Sequence, residues 1–145
     1  MIKRAMYTLT VALLMAIFTG CGIPSVTTVI DRPDEYAKTF EAIEEIVLRA
    51  IAAFFREKEM GSNVVINRAQ KIVTTDYFAR EGWRTRSIAR VRQINWKESE
   101  VILTVITEKQ SRTGWEMRRL LGKEQYDNAF DAIELKIYEE MSRIY

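Results

Sequence analysis

Four arginines in one segment are the side chains of this sequence whose spacing most clearly favours binding chemistry. The segment, residues 83–96, is rich in residues that fit a β-strand. Because strand side chains alternate between two faces, four basic residues fall on a single face: Arg84, Arg86, Arg90 and Arg92. A guanidinium can donate two parallel hydrogen bonds to a carboxylate or phosphate. The row is therefore predicted either to pair with the protein's own glutamates or to bind acidic groups of a partner.

The other face of the same segment has a different composition. It carries small and apolar side chains, namely Thr85, Ser87, Ala89 and Val91. Side chains of this kind are expected to pack against helices, whereas Ile88 lies on the arginine face. The arginine face is then predicted to be open to water or to another molecule.

Two features of the composition restrict the possible enzymatic chemistry. The chain contains no histidine and a single cysteine. Histidine is the commonest general base and zinc ligand, and it activates most serine and cysteine nucleophiles. No other group of residues has the spacing of a metal or phosphate site. We therefore predict a protein that is not an enzyme, with no catalytic residues, no metal and no cofactor.

The single cysteine stands at the end of an apolar run. Lys3 and Arg4 precede residues 7–18, which are apolar except for two threonines, and Thr19-Gly20-Cys21 follows. A basic start, an apolar stretch of this length and small residues at its end are typical of a secretory signal. The stretch is too short for a membrane-spanning helix. The sequence therefore predicts export, with a plain signal peptide and an incidental cysteine as one reading of the junction.

The junction Thr19-Gly20-Cys21 resembles the bacterial lipobox. The resemblance implies cleavage between Gly20 and Cys21, and attachment of three acyl chains of the palmitate type to Cys21. It also implies anchoring to a membrane of the cell envelope. Since Gly22 follows, and not aspartate, it implies the periplasmic face of the outer membrane over the inner membrane.

The signal sets the domain boundaries. We predict a signal peptide at residues 1–20, a lipidated tether at 21–29 and a single domain at 30–145. Lys3 and Arg4 belong to the signal, so the mature chain keeps 20 of the 22 basic residues beside all 20 acidic ones. This balance gives no argument for nucleic acid as a partner. With its only cysteine acylated, the chain can form no disulfide.

Hydrophobic periodicity predicts a helix at each end of the domain. Apolar residues at three- and four-residue steps predict the first helix from residues 31–34 to about Lys58, and the second from Lys123 to the C-terminus. Short turns between the intervening strands make them antiparallel. The predicted strands are residues 64–66, 71–78, 83–96 and 101–107, with 26–30 as an edge strand and 108–119 as a loop.

These elements define the predicted fold class. It is α+β, an antiparallel sheet of three to five strands with two long helices, N-terminal and C-terminal, packed on one face. This order of elements after a lipobox is similar to that of the helix-grip domains of BamC-type outer-membrane lipoproteins. The resemblance implies a protein that binds other envelope proteins, and it carries over no residue beyond Cys21.

The predicted function follows from the signal and the fold. We expect a monomeric, membrane-anchored envelope lipoprotein that acts as a non-enzymatic accessory or protein-binding module in outer-membrane assembly or maintenance. The alternative is a carrier that binds a small apolar ligand or lipid between sheet and helices. Trp115, Met117 and Met141 are the candidates to line such a pocket.

Overall fold

A computed structural model describes residues 27–145, so the predicted signal, the Gly20-Cys21 junction and most of the tether lie outside the described residues. The predicted class, α+β with an antiparallel sheet and two helices, is confirmed. The elements in chain order are β1 Thr28–Val29, β2 Glu35–Phe40, α1 Glu44–Glu57, β3 Ser62–Asn67, β4 Ile72–Asp76, β5 Phe78–Arg80, β6 Trp83–Gln93, β7 Ser99–Ser111, β8 Gly114–Arg119 and α2 Lys123–Ile144.

The sheet is organised around its two longest strands. β6 and β7 form a hairpin paired over its whole length, and β4 and β5 add to the outer side of β6. On the outer side of β7, β2 pairs with the first half and β8 with the second half. The order is β1-β8-β7-β6-β4-β3, with every pair antiparallel. The predicted three to five strands are too few, since residues 27–145 form eight.

One of the additional strands replaces the start of the first predicted helix. Residues Glu35–Phe40 form β2, and α1 begins only at Glu44. Tyr36 and Phe40 are four residues apart, a spacing that suits one face of a helix as well as one face of a strand. Six residue pairs with β7 decide between the two in favour of the strand. The predicted helix start at residues 31–34 is therefore wrong, although the end near Lys58 is right.

A second additional strand lies where the sequence suggested a loop, and a third arises because the predicted strand at residues 71–78 is divided into β4 and the separate β5. β7 continues to Ser111, and Gly114–Arg119 returns beside it as β8. The two-residue turn ends at Gly114, whose φ of 135° is a conformation that favours glycine. The polar composition of residues 108–119 thus reflects a solvated part of the sheet. Composition alone does not make this segment irregular.

Both helices pack on the same face of the sheet, as predicted. The rings of Tyr36 and Tyr126 lie 4.5 Å apart and those of Phe40 and Phe130 lie 6.2 Å apart, which fixes α2 on β2. α1 packs on β6, β4 and β3. The fully buried side chains of this core include Val47, Ile51, Phe55, Val73, Ala89, Val101, Leu103 and Ile133. Neither helix is long and apolar enough to cross a membrane; this holds for residues 27–145.

Truncation of either Phe40 or Ile133 to alanine is expected to destabilise the domain. Phe40 is 4% exposed and Ile133 is 0% exposed. Removal of large buried side chains from a packed core costs about 2 to 5 kcal/mol, because transfer energy is lost and a cavity remains. Denaturant unfolding measures the change. Leu135→Ala, at a side chain 60% exposed on α2, is the control and should leave the midpoint nearly unchanged. Equal midpoints for all three variants would contradict the assigned core.

Candidate functional site: the open sheet face

The open sheet face is the face of the sheet opposite α1 and α2. The structure places Arg84, Arg86, Arg90 and Arg92 on this face, because Ser87, Ala89 and Val91 point to the core and are buried. Each arginine lies opposite a residue of β7 that shares the face. The cross-strand pairs are Arg84 with Glu108, Arg86 with Ile106, Arg90 with Ile102 and Arg92 with Glu100.

The centre of the open sheet face is apolar. Ile88 lies between Arg86 and Arg90 and opposite Thr104. Ile102 and Ile106 lie beside it on β7, and Ile72 of β4 pairs with Arg90 on the other side. These isoleucines are partly exposed. The arginines therefore border a small apolar surface.

Arg84 is held by a cluster of the protein's own side chains. Its Nη2 donates to Oε2 of Glu108 at 2.6 Å, and its Nε donates to the same oxygen at 3.0 Å. The guanidinium carbon lies 4.1 Å from the ring centroid of Tyr77 and 4.4 Å from that of Trp115. Cations stack favourably on such rings. Glu108 is only 8% exposed, so Arg84 neutralises a nearly buried carboxylate.

Tyr77 completes this cluster. Its hydroxyl donates to Oε1 of Glu108 at 2.6 Å. Burial raises the pKa of the Tyr77 phenol above 10.0, and the neighbouring Glu108 carboxylate raises it further. Because the pKa is higher in the folded protein, the associated stabilisation is fully present below the ordinary pKa and is lost as the pH rises through the folded value.

Tyr77 is therefore expected to ionise later than an exposed tyrosine. The absorbance of tyrosinate, followed against pH for the parent and for Tyr77→Phe, gives the titration of this one phenol by difference. The parent has six tyrosines, and Tyr126 also has a raised pKa because it is buried, so the difference curve is needed. A difference curve centred in the ordinary tyrosine range would contradict the Tyr77–Glu108 hydrogen bond.

Arg92 also pairs within the protein, but weakly. Its Nη2 lies 3.0 Å from Oε1 of Glu100, and the arginine side chain is 71% exposed. Exposed pairs of this kind contribute little to stability. Two of the four arginines are thus matched by the protein's own glutamates.

Arg86 and Arg90 have no such partner in the described part of the chain. Arg86 donates from Nε to the backbone carbonyl of Thr75 at 3.1 Å, which orients the side chain without neutralising it. Arg90 is exposed. Within the part of the chain that the structure describes, neither forms an ion pair with a carboxylate. Pairing with the protein's own glutamates therefore applies to Arg84 and Arg92. Binding of a partner's acidic groups stays open for Arg86 and Arg90, which border the isoleucines.

A groove lies between the two helices and β7, on the side of the sheet opposite the arginines. This groove has a volume of about 390 Å³. Its lining is mostly apolar and includes Phe54, Met60, Val105, Leu121, Ala129 and Ala132. The three residues predicted for such a pocket lie elsewhere: Trp115 stacks on Arg84, Met117 is on β8, and Met141 borders a separate hollow beside Phe40.

Comparisons with known proteins add little to this geometry. No protein-family model matches the chain, and no curated protein matches it. Among solved structures, it is similar to the di-domain ARO/CYC StfQ from the steffimycin biosynthetic pathway, with a TM-score of 0.33 and 11% sequence identity. The likeness covers 72% of this chain and 43% of that one, so this chain spans less than half of the StfQ chain. At this TM-score the likeness carries no function across.

The same comparison nevertheless corrects one expectation from the sequence. The prediction that the chain is not an enzyme is withdrawn, because the solved structure to which the chain is similar is that of an ARO/CYC protein and the composition does not exclude catalysis. That prediction depended on the lack of histidine. Carboxylates, tyrosines and lysines also serve as general acids and bases, so the composition alone does not support it. We assign no activity to this chain.

Proposed function

We propose that this protein is a lipoprotein of the cell envelope, anchored through acylated Cys21 at the periplasmic face of the outer membrane. The support for the anchor is the basic, apolar and small-residue pattern that ends in Thr19-Gly20-Cys21. The mature domain then binds another envelope protein through the open sheet face. The resemblance to BamC-type lipoproteins agrees with such a role in assembly or maintenance of the outer membrane.

One observation carries the binding function: among residues 27–145, Arg86 and Arg90 find no carboxylate partner, and both border an apolar surface. The two side chains are four residues apart on one strand face, so their Cα atoms are about 13 Å apart. Arginines beside apolar side chains are typical of the residues that dominate protein interfaces. A partner that presents two carboxylates at this spacing, with apolar residues between them, would match the face.

A protein is a better match for this face than a charged lipid surface. Segments that bind anionic lipids through charge use clusters of about four to eight basic residues. Here only two of the four arginines are unmatched within residues 27–145, and the mature chain has equal numbers of basic and acidic residues. The isoleucines between the arginines also require an apolar surface opposite them.

The binding function is tested by reversal of the two charges. Lipidated protein that carries Arg86→Glu and Arg90→Glu is purified from membranes in mild detergent beside the parent. Envelope proteins that accompany the parent should be missing from the variant. The amount of each co-purified protein is divided by the amount of folded lipoprotein in the same preparation. This ratio is compared between the variant and the parent.

The groove between the helices supports a second candidate function, the transport of a small apolar ligand. Its lining of Phe54, Met60, Val105 and Leu121 is apolar, and its volume of about 390 Å³ falls in the range of small-molecule sites. The groove lies on the helix side of the sheet, so charge reversal on the open sheet face leaves it intact. The two candidate functions can therefore be separated in one set of variants.

A further inference from the structure

The turn between β6 and β7 presents an exposed tryptophan. Trp96 is 84% exposed, and Ile94 beside it is 48% exposed. Ile43, also 48% exposed, precedes Glu44, whose backbone N–H donates to Oε1 of Gln93 at 2.9 Å. The hydrogen bond brings the start of α1 to the base of the turn. Three exposed apolar side chains therefore gather at this end of the sheet.

The turn that carries Trp96 is held by many hydrogen bonds. Oδ1 of Asn95 accepts from the backbone N–H of Lys97 at 3.0 Å and from that of Glu98 at 2.9 Å. Nδ2 of Asn95 donates to the Glu98 carboxylate at 2.6 Å, and Nε2 of Gln93 donates to the Glu98 carbonyl at 3.2 Å. The backbone is thus fixed in a shape that projects Trp96. A contact made by a fixed turn loses less conformational entropy on binding.

The length of the chain before Thr27 limits how far the domain can lie from a membrane. Nη1 of Arg118 donates to the Thr27 carbonyl at 3.0 Å, which fixes the point where the described chain begins. Cys21 is six residues earlier, a distance of at most about 20 Å. This step rests on the proposed anchor at Cys21. With that anchor, Thr27 lies within about 20 Å of the bilayer surface.

The same limit allows the turn to reach the bilayer. β1 pairs with the end of β8, and the Trp96 turn lies about ten residues of extended strand away, or roughly 30 Å. If Thr27 lies about 20 Å above the bilayer surface and Trp96 lies at the surface, the strands are inclined to the bilayer plane by at most about 40°. This orientation is within reach of the tether.

We propose that Trp96, with Ile43 and Ile94, inserts into the head-group region of the bilayer that holds the Cys21 anchor. Tryptophan is enriched at this depth because its ring is apolar and its N–H needs a polar partner. Lys97, whose Nζ lies 5.8 Å from the Trp96 ring centroid, can extend its amine to lipid phosphates. Three apolar side chains on a projecting turn can enter a bilayer without a preformed pocket, because the lipids rearrange around them.

Tryptophan fluorescence of the lipidated, full-length protein tests this contact. The chain has three tryptophans, so Trp83→Phe with Trp115→Phe leaves Trp96 as the single emitter. The protein is reconstituted into phosphatidylcholine–phosphatidylethanolamine vesicles with and without brominated acyl chains. We expect Trp96 in vesicles to emit at a shorter wavelength than a tryptophan that is exposed to buffer. We also expect its emission intensity to fall in the brominated vesicles. Thermal unfolding of the variant confirms that it is folded.

A matched control places the emitter at the other end of the sheet. In a protein with all three tryptophans replaced by phenylalanine, Arg112→Trp puts the ring in the exposed turn between β7 and β8. Its emission should remain at long wavelength and unquenched. If Trp96 in vesicle-bound protein is no more quenched than the tryptophan at position 112, the inference is overturned but the anchor is not. Trp96 would then bind an apolar pocket of a protein partner. Failure of the parent to float with vesicles would overturn the anchor and the inference together.

Discussion

Replacement of Cys21 by serine is expected to abolish fatty-acid labelling of the protein and to leave its signal uncleaved. The lipoprotein pathway that the Thr19-Gly20-Cys21 junction resembles modifies this cysteine through its thiol before the signal is cleaved. Serine is nearly the same size but lacks the thiol. Metabolic labelling with a radioactive fatty acid, followed by gel separation, measures both the label and the change in mass on cleavage.

The control for this substitution lies in the same segment. Ser25→Ala changes a small residue four positions later and should leave labelling and cleavage unchanged. Each buried methylene contributes about 0.8 kcal/mol to membrane binding, and a single chain gives only reversible attachment. Three chains should therefore hold the parent in the membrane through repeated washing. Label retained by Cys21→Ser would contradict the anchor.

The combined change of Arg86→Glu and Arg90→Glu is expected to abolish co-purification of the partner while the melting temperature changes little. Neither arginine has an ion pair to lose within residues 27–145, so the main loss is the hydrogen bond from Arg86 to the Thr75 carbonyl, which contributes about 1 kcal/mol. The interface, by contrast, loses two pairings and gains two repulsions. Co-purified protein and thermal unfolding are measured on the same preparations.

A variant with the same change in net charge provides the control. Arg49→Glu with Arg143→Glu reverses two exposed charges on the helices, far from the open sheet face. It should keep the partner. Arg84→Glu is unsuitable, because it would leave Glu108 nearly buried and unpaired and would destabilise the domain. Binding that survives in a folded Arg86→Glu, Arg90→Glu variant would leave the row as a solvated face.

The residues on the two faces of β6 could be predicted from the sequence because strand alternation is strict. Ser87, Ala89 and Val91 are buried, and the arginines face outward. The later helix was equally predictable, since Tyr126, Phe130, Ile133 and Ile137 keep a helical period and all are buried. In both elements local pattern and tertiary packing agree.

The partners of the arginines were missed although the sequence contained a signal for them. β6 and β7 form a hairpin centred on Trp96, so residues equally distant from it pair: Arg92 with Glu100 and Arg84 with Glu108. Assignment of residues 108–119 to a loop hid the second pair. β2 was missed for a different reason. Its pairing with β7 is a tertiary contact, and the apolar spacing of Tyr36 and Phe40 is compatible with either element.

The binding face is tested most directly by an exchange of charges between this protein and the partner that the parent retains. Dissociation constants are measured for the four combinations of parent and Arg86→Glu, Arg90→Glu protein with the parent partner and a partner whose facing carboxylates are changed to lysine. We expect each changed protein to bind weakly to an unchanged one, and the two changed proteins together to recover most of the affinity. Losses that simply add, with no recovery in the doubly changed pair, would contradict a contact between these arginines and the partner's carboxylates.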